Sequence, residues 1–200
     1  AAIAPSGRRL ALGGQRGELA LLDLDTGRQT LADAHALTLS GVAFVGEDRL
    51  VTTGWDGMLR VWDGIADGVA RRASELQIVP TAAGERRFLS LGVSPDGRCA
   101  WAGADAGVVH AADLPTLGWA GALSHGPDRF SYVSAVAWSA DGERVVSADS
   151  GSGIRIWSRA GDSWTTSAAL DRPVVPYWTR ALRFVGPRQV LAVTHRSAVV

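Results

Sequence analysis

A histidine, a hydroxyl and a carboxylate, the residue types of a hydrolytic relay, fall close together at His35, Thr52 and Asp56. An imidazole held by an acid can take the proton of a hydroxyl and turn it into a nucleophile. The surrounding residues argue against that use. Thr52 lies in the middle of the apolar run Leu50-Val-Thr-Thr53, with Trp62 close by, and no loop is placed to supply the amide pair that a developing oxyanion needs. The same groups also suit a structural role. A buried carboxylate is costly unless it is hydrogen-bonded or paired, and an imidazole can pass that bond on to a hydroxyl or an indole N–H.

Other candidate chemistry is weaker. Cys99 is a lone thiol in a strand-like run with no histidine near it in sequence, so it is expected to be a small buried hydrophobe. Asp23-Leu-Asp-Thr-Gly27 alternates carboxylates but lacks the ligand set of a calcium hand, and each of its polar residues favours a turn for local reasons. Asp149-Ser-Gly-Ser-Gly153 is glycine-rich, yet a phosphate site needs a helix to follow and a strand pattern follows instead. His110, His125 and His195 form no close pair of metal-ligand spacing. No catalytic, cofactor-binding or metal-binding residue is therefore expected.

Composition narrows the partners. Twenty arginines, with no lysine, balance 20 acidic residues to a net charge of zero, which removes the electrostatic case for nucleic acid or an anionic membrane. There is one cysteine, so no internal disulfide framework, and no apolar run long enough to span a bilayer. The expected partner is a protein, with no nucleic acid, no membrane and no small-molecule substrate. The chain opens on Ala1 rather than Met, and both ends read as the middle of a strand. It is expected to be a fragment of a longer bacterial, cytoplasmic multidomain protein.

The elements that must position these residues are short strands. Gly41-Val-Ala-Phe44, Leu50-Val-Thr-Thr53 and Met58-Leu-Arg-Val-Trp-Asp63 are three strand-like runs, the last two joined by the tight-turn signal Trp55-Asp56-Gly57. One such meander cannot bury both of its faces. Its turn recurs with Gly17, Gly57, Gly107, Ser152 and Ser197 in one column, at spacings of 40, 50, 45 and 45 residues. Strand-like runs follow at Glu18–Asp23, Met58–Asp63, Val108–Asp113 and Gly153–Ser158, and a fifth starts at Ala198. A period of this length with a Trp-Asp ending is the signature of propeller blades. The approximate units are 1–34, 35–84, 85–127, 128–175 and 176–200. The outer strand of the second is expected from about Val69, although Ile65, Val69, Ala73 and Leu76 also fall at helical spacing.

Trp55-Asp56-Gly57 with Arg60-Val-Trp-Asp63, and Arg155-Ile-Trp157 after it, resemble the WD-repeat β-propeller family. The resemblance implies an all-β fold of four-stranded antiparallel blades, about four and a half of them here, and usually a platform for other proteins. It also implies that His35, Thr52, Asp56 and Trp62 are a structural tetrad in which Asp56 accepts from His35. The turn-Asp column otherwise holds Arg16, Ala106, Gly151 and Arg196, so only the second unit is expected to have the full network, the others being held by apolar packing. Trp62 and Trp157 are expected in the core, with Arg60 and Arg155 snorkelling beside them. Ala111-Ala112 removes a large group from the third unit, and Trp101 or Trp119 is expected to fill the space.

Two loop columns share a rim under this resemblance, one holding Trp55, Asp105 and His195, the other Arg87, Tyr132 and Trp178. Exposed tryptophans are enriched at binding hot spots. These six residues are the expected partner surface of a non-catalytic interaction scaffold. The alternatives are an enzyme or small-molecule-binding propeller with its site in the central channel, or a sensor regulating an enzyme domain elsewhere. The innermost strands read as mostly apolar or small, with Arg183 the exception, and so give the channel little to work with.

Overall fold

In the computed structural model the chain is described over residues 1–78, 84–126, 131–150, 153–161, 163–170, 179–187 and 189–194, with backbone alone at 198–199. Nineteen strands among these residues form five antiparallel sheets. The first sheet is β1 (Ala2–Ile3), β2 (Arg9–Gly13), β3 (Glu18–Asp23) and β4 (Gln29–Asp33). The second is β5 (Leu39–Val45), β6 (Arg49–Gly54), β7 (Met58–Asp63) and β8 (Arg71–Gln77). The third is β9 (Phe88–Val93), β10 (Cys99–Ala104), β11 (Val108–Asp113) and β12 (Gly118–Ser124). The fourth is β13 (Val133–Trp138), β14 (Arg144–Asp149), β15 (Gly153–Ala160) and β16 (Ser163–Leu170). The fifth holds β17 (Thr179–Gly186), β18 (Gln189–Thr194) and β19 (Ala198–Val199). Within each sheet every strand pairs with the next in sequence, so each is a meander.

Side chains alternate across a strand, and here both faces are covered. On one face of the second sheet Leu50 and Trp62, directly opposite in register, pack with Leu19 and Leu21 of the first. On the other face Val51, Leu59 and Val61 pack with Phe88, Ala100 and Ala102 of the third. Trp101, Val109, Val133, Val145 and Trp157 fill the space between the third and fourth sheets. Ala135, Val146, Ile154, Leu182 and Ala192 fill that between the fourth and fifth. The core is thus a series of layers between sheets, which accounts for strands that are apolar on both faces. The first strands neighbour one another in order, β5 beside β9, β9 beside β13, β13 beside β17, with β1 and β2 against β5. These sheets are the blades of a β-propeller-type array.

Main-chain bonds join the first three blades to the segments that leave them. Ala34 N–H and His35 N–H donate to the Gly17 carbonyl, both at 2.9 Å, in the β2–β3 turn of the first blade. Ile78 N–H donates to Gly57 at 2.8 Å, and His125 N–H to Gly107 at 2.9 Å. Gly17 has φ 88°, and a Cβ there would lie 1.8 Å from the His35 carbonyl oxygen. The turn therefore needs glycine for conformation and for space.

One sequence expectation changes and one is decided between its alternatives. The second outer strand begins at Arg71 rather than about Val69, after a 3₁₀ turn over Ile65–Asp67. The apolar helical spacing is explained by Ile65, which is fully buried against the first–second layer while Asp48 accepts the amides of Ile65 and Ala66. The space beside Ala112 is filled by Trp119, whose indole donates to the Gln77 carbonyl at 2.8 Å. Trp101 instead stacks edge-on with Trp138 and Trp164, on the other face of the same blade. The turn residues Ser152 and Ser197 lie outside the described residues.

Candidate functional site

In the second blade β6 carries Thr52, β7 carries Arg60 and Trp62, the turn between them carries Asp56, and His35 precedes β5. Trp62 Nε1 donates to Thr52 Oγ1 at 2.9 Å, Thr52 Oγ1 lies 2.8 Å from His35 Nε2, and His35 Nδ1 lies 2.8 Å from Asp56 Oδ1. Asp56 Oδ1 is a hydrogen-bond acceptor, so the tautomer that sets a donor against it carries its proton on Nδ1. His35 Nε2 then accepts from Thr52, and Thr52 accepts from Trp62. Thr52 and His35 each donate once and accept once, while Trp62 only donates and Asp56 only accepts.

The sequence did not point to Arg60 as a further member. Its Nη1 donates to Asp56 Oδ2 at 2.8 Å, and its Nε donates to Glu75 at 3.0 Å. Arg60 is 8% exposed, so it does not snorkel past Trp62 but closes the network as a buried counter-charge. Burial pushes the Asp56 carboxyl up, yet the bonds from Arg60, His35 and the Ala36 amide together hold it below the ordinary range. Burial, only partly offset by Asp56, lowers His35 below an ordinary histidine. Thr52 is wholly buried and its oxygen already receives an indole proton, so it offers no approach to a substrate carbonyl.

Blades three and four depart from the expectation of purely apolar packing. In the fourth, His125 Nε2 lies 2.7 Å from Ser147 Oγ, and Trp157 Nε1 donates to the same oxygen at 2.7 Å. This repeats the histidine–hydroxyl–indole chain of the second blade. Burial lowers His125 to about 4, against the pull of Asp149 nearby. In the third blade Ala102 and Ala112 stand in the columns of Thr52 and Trp62, and His110 in that of Arg60. His110 Nε2 lies 2.8 Å from Glu85, both side chains being almost wholly buried. Phe88 and Trp119 meet the His110 ring edge-on. Cys99 is half-buried, and burial pushes its thiol up.

The two loop columns meet through the main chain. Trp55 N–H donates to the Thr38 carbonyl, Asp105 N–H to Arg87, and Ser150 N–H to Tyr132, at 2.9, 3.1 and 3.0 Å. Each pair joins the turn after a second strand to the entry of its first strand, so both columns share one end of the blades. There the Arg87 guanidinium carbon lies 5.5 Å from the centre of the Trp55 ring and 6.0 Å from that of Tyr132. Arg87 Nε donates to Asp105 Oδ2 at 3.1 Å, while Asp105 Oδ1 accepts the amides of Arg86 and Arg87. Trp55 is 40% exposed. Trp178 and His195 lie outside the described residues.

A cavity of about 330 Å³ is lined by first-strand residues of four blades, among them Ser40, Ser90, Ser134 and Arg180. It is more polar than the apolar strand pattern implied, and Arg180 rather than Arg183 faces it. Ser40 and Ser90 already donate to the carbonyls of Phe88 and Val133 at 2.7 and 2.9 Å, clasping one blade to the next.

The family model "WD domain, G-beta repeat" matches residues 28–63 and 123–158. These matches and the four-stranded antiparallel sheets support a WD-repeat family. The matched segments contain the His35–Thr52–Trp62 and His125–Ser147–Trp157 chains. The third blade, which carries Glu85 and His110 instead, is not matched. No curated protein matches the chain. WD repeats generally mediate contact between proteins and are typically non-catalytic.

Proposed function

We propose that this chain is a non-catalytic protein-interaction scaffold whose partner docks on the blade end carrying Trp55, Arg87, Asp105 and Tyr132. Trp178 and His195 are included through their places in the same sequence columns. The observation that carries the reading is the ladder itself, in which Arg87 of the third blade sits between an aromatic ring of the second and one of the fourth. A solvated rim has no need of a cation held close to two rings, whereas rigid aromatic groups give contact area at small entropy cost and charge sets register. The supporting clue from family is the general role of WD repeats in joining proteins.

The test is affinity capture from the source cell by the wild-type protein and by a Trp55→Ala, Tyr132→Ala double variant. Loss of a specific partner with an unchanged melting curve supports the surface. Identical partners recovered by both proteins would place binding elsewhere.

A further inference from the structure

Arg87 is fixed in place but most of its hydrogen-bonding capacity is unused. A guanidinium has five N–H donors in one plane. Only Nε is engaged, by Asp105 Oδ2, and Nη1 and Nη2 have no hydrogen-bond partner among the described residues. Trp55 and Tyr132 lie against the group, and Asp105 takes one edge. The Arg87 side chain remains 39% exposed, against 16% for Asp105. What remains is a flat fork of donors whose orientation is set before anything binds. A carboxylate is planar and accepts two parallel N–H bonds from such a fork, with a geometry an ammonium cannot copy.

The neighbouring charges agree. Asp105 spends its other oxygen on two backbone amides. The carboxylate of Asp56, beside Trp55 in sequence, is engaged by Arg60 and His35 and is 9% exposed. Arg86 is exposed next to Arg87 and adds a second positive group. Leu37, 53% exposed, precedes Thr38, whose carbonyl holds the Trp55 amide, so apolar surface flanks the polar fork.

We infer that the open edge of Arg87 is the recognition point for a carboxylate, and that the partner presents an acidic peptide segment to this face. The inference rests on the proposed interaction surface and names the chemistry that surface selects.

The experiment is selection of a displayed random-peptide library on the full-length protein, followed by titration of synthetic peptides. Selected peptides should lose binding to Trp55→Ala, which ties them to this face, and should share an Asp or Glu. Replacing that residue by Asn or Gln should weaken binding about tenfold or more, as expected for a charge-assisted bidentate pair. Arg87→Lys, which keeps the charge and removes the fork, should weaken the acidic peptide similarly and leave the amide peptide unaffected. Peptides that depend on Trp55 but tolerate the amide replacement would overturn the carboxylate assignment while leaving the surface standing. So would peptides that bind only when a phosphoserine replaces the acidic residue. Recovery only of peptides indifferent to Trp55→Ala would overturn both the assignment and the surface.

Discussion

At the scale of single residues, the polar centres of the blades matter as much as the tryptophans. Asp56→Ala removes the acceptor of Arg60, His35 and the Ala36 amide together. It should cost about 1–3 kcal/mol, the range for leaving buried donors unsatisfied, since Glu75 still pairs with Arg60, and the loss is measured as a shift of the denaturant midpoint. A loss under about 1 kcal/mol would show that water replaces the carboxylate. His125 makes a pH prediction. Its folded value of about 4 lies below the ordinary 6.5, so the unfolded chain binds the proton more readily. The stability it contributes is fully present above pH 6.5 and is lost as pH falls from there toward about 4. An imidazole chemical-shift titration should show no inflection near 6.5 for His125; an inflection there would mean the ring is solvated. Much of this was legible for the second blade, because Thr52 and Trp62, and likewise Ser147 and Trp157, stand 10 residues apart. The fourth blade escaped notice because His125 lies 22 residues before its serine, against 17 for His35 and Thr52, and Gly151 stands where the turn aspartate was sought. Arg60 is not legible as a member of the network, because alternation marks which face a side chain takes, not which charge waits there.

At the scale of elements, the turns make a sharper test than the strands. Gly17 and Gly27 both have positive φ, 88° and 71°, but a Cβ at Gly17 would meet the His35 carbonyl while one at Gly27 meets nothing within 4 Å. Gly27→Ala should cost only the left-handed strain, about 1–2 kcal/mol. Gly17→Ala should cost clearly more, since main chain must shift, and comparison of the two melting curves checks this. Equal losses would mean that the close approach relaxes freely. Strands such as β7, β9 and β13 were readable from their apolar runs because neighbouring blades bury both faces. The start of β8 was not, since Ile65 obeys a tertiary demand, the filling of a layer formed with the first blade. Local spacing carries no trace of such a demand.

At the scale of the whole molecule, the blades share layers rather than owning separate cores. Trp62→Ala should therefore cost about 3–5 kcal/mol and lower amide protection in the first and second blades together, as followed by hydrogen exchange. Loss of protection confined to the second blade would show that the layer is not shared. The paired-column architecture was visible in the spacing of turns, yet the ladder of Trp55, Arg87 and Tyr132 was not, because its members come from three repeats and meet only when the blades stand side by side. The main-chain bonds to Gly17, Gly57 and Gly107 carry a consequence for how such a chain changes over generations. A joint made of amides and carbonyls asks only for glycine at the turn and is indifferent to the side chains around it. One repeat can then trade a threonine–tryptophan interior for a glutamate–histidine one, as the third has relative to the second, with this joint unchanged, provided that the layer shared with its neighbour is refilled, as Trp119 refills the space beside Ala112. The joints are common to these repeats while the layers between them differ, so a duplicated array of this kind changes layer by layer rather than blade by blade.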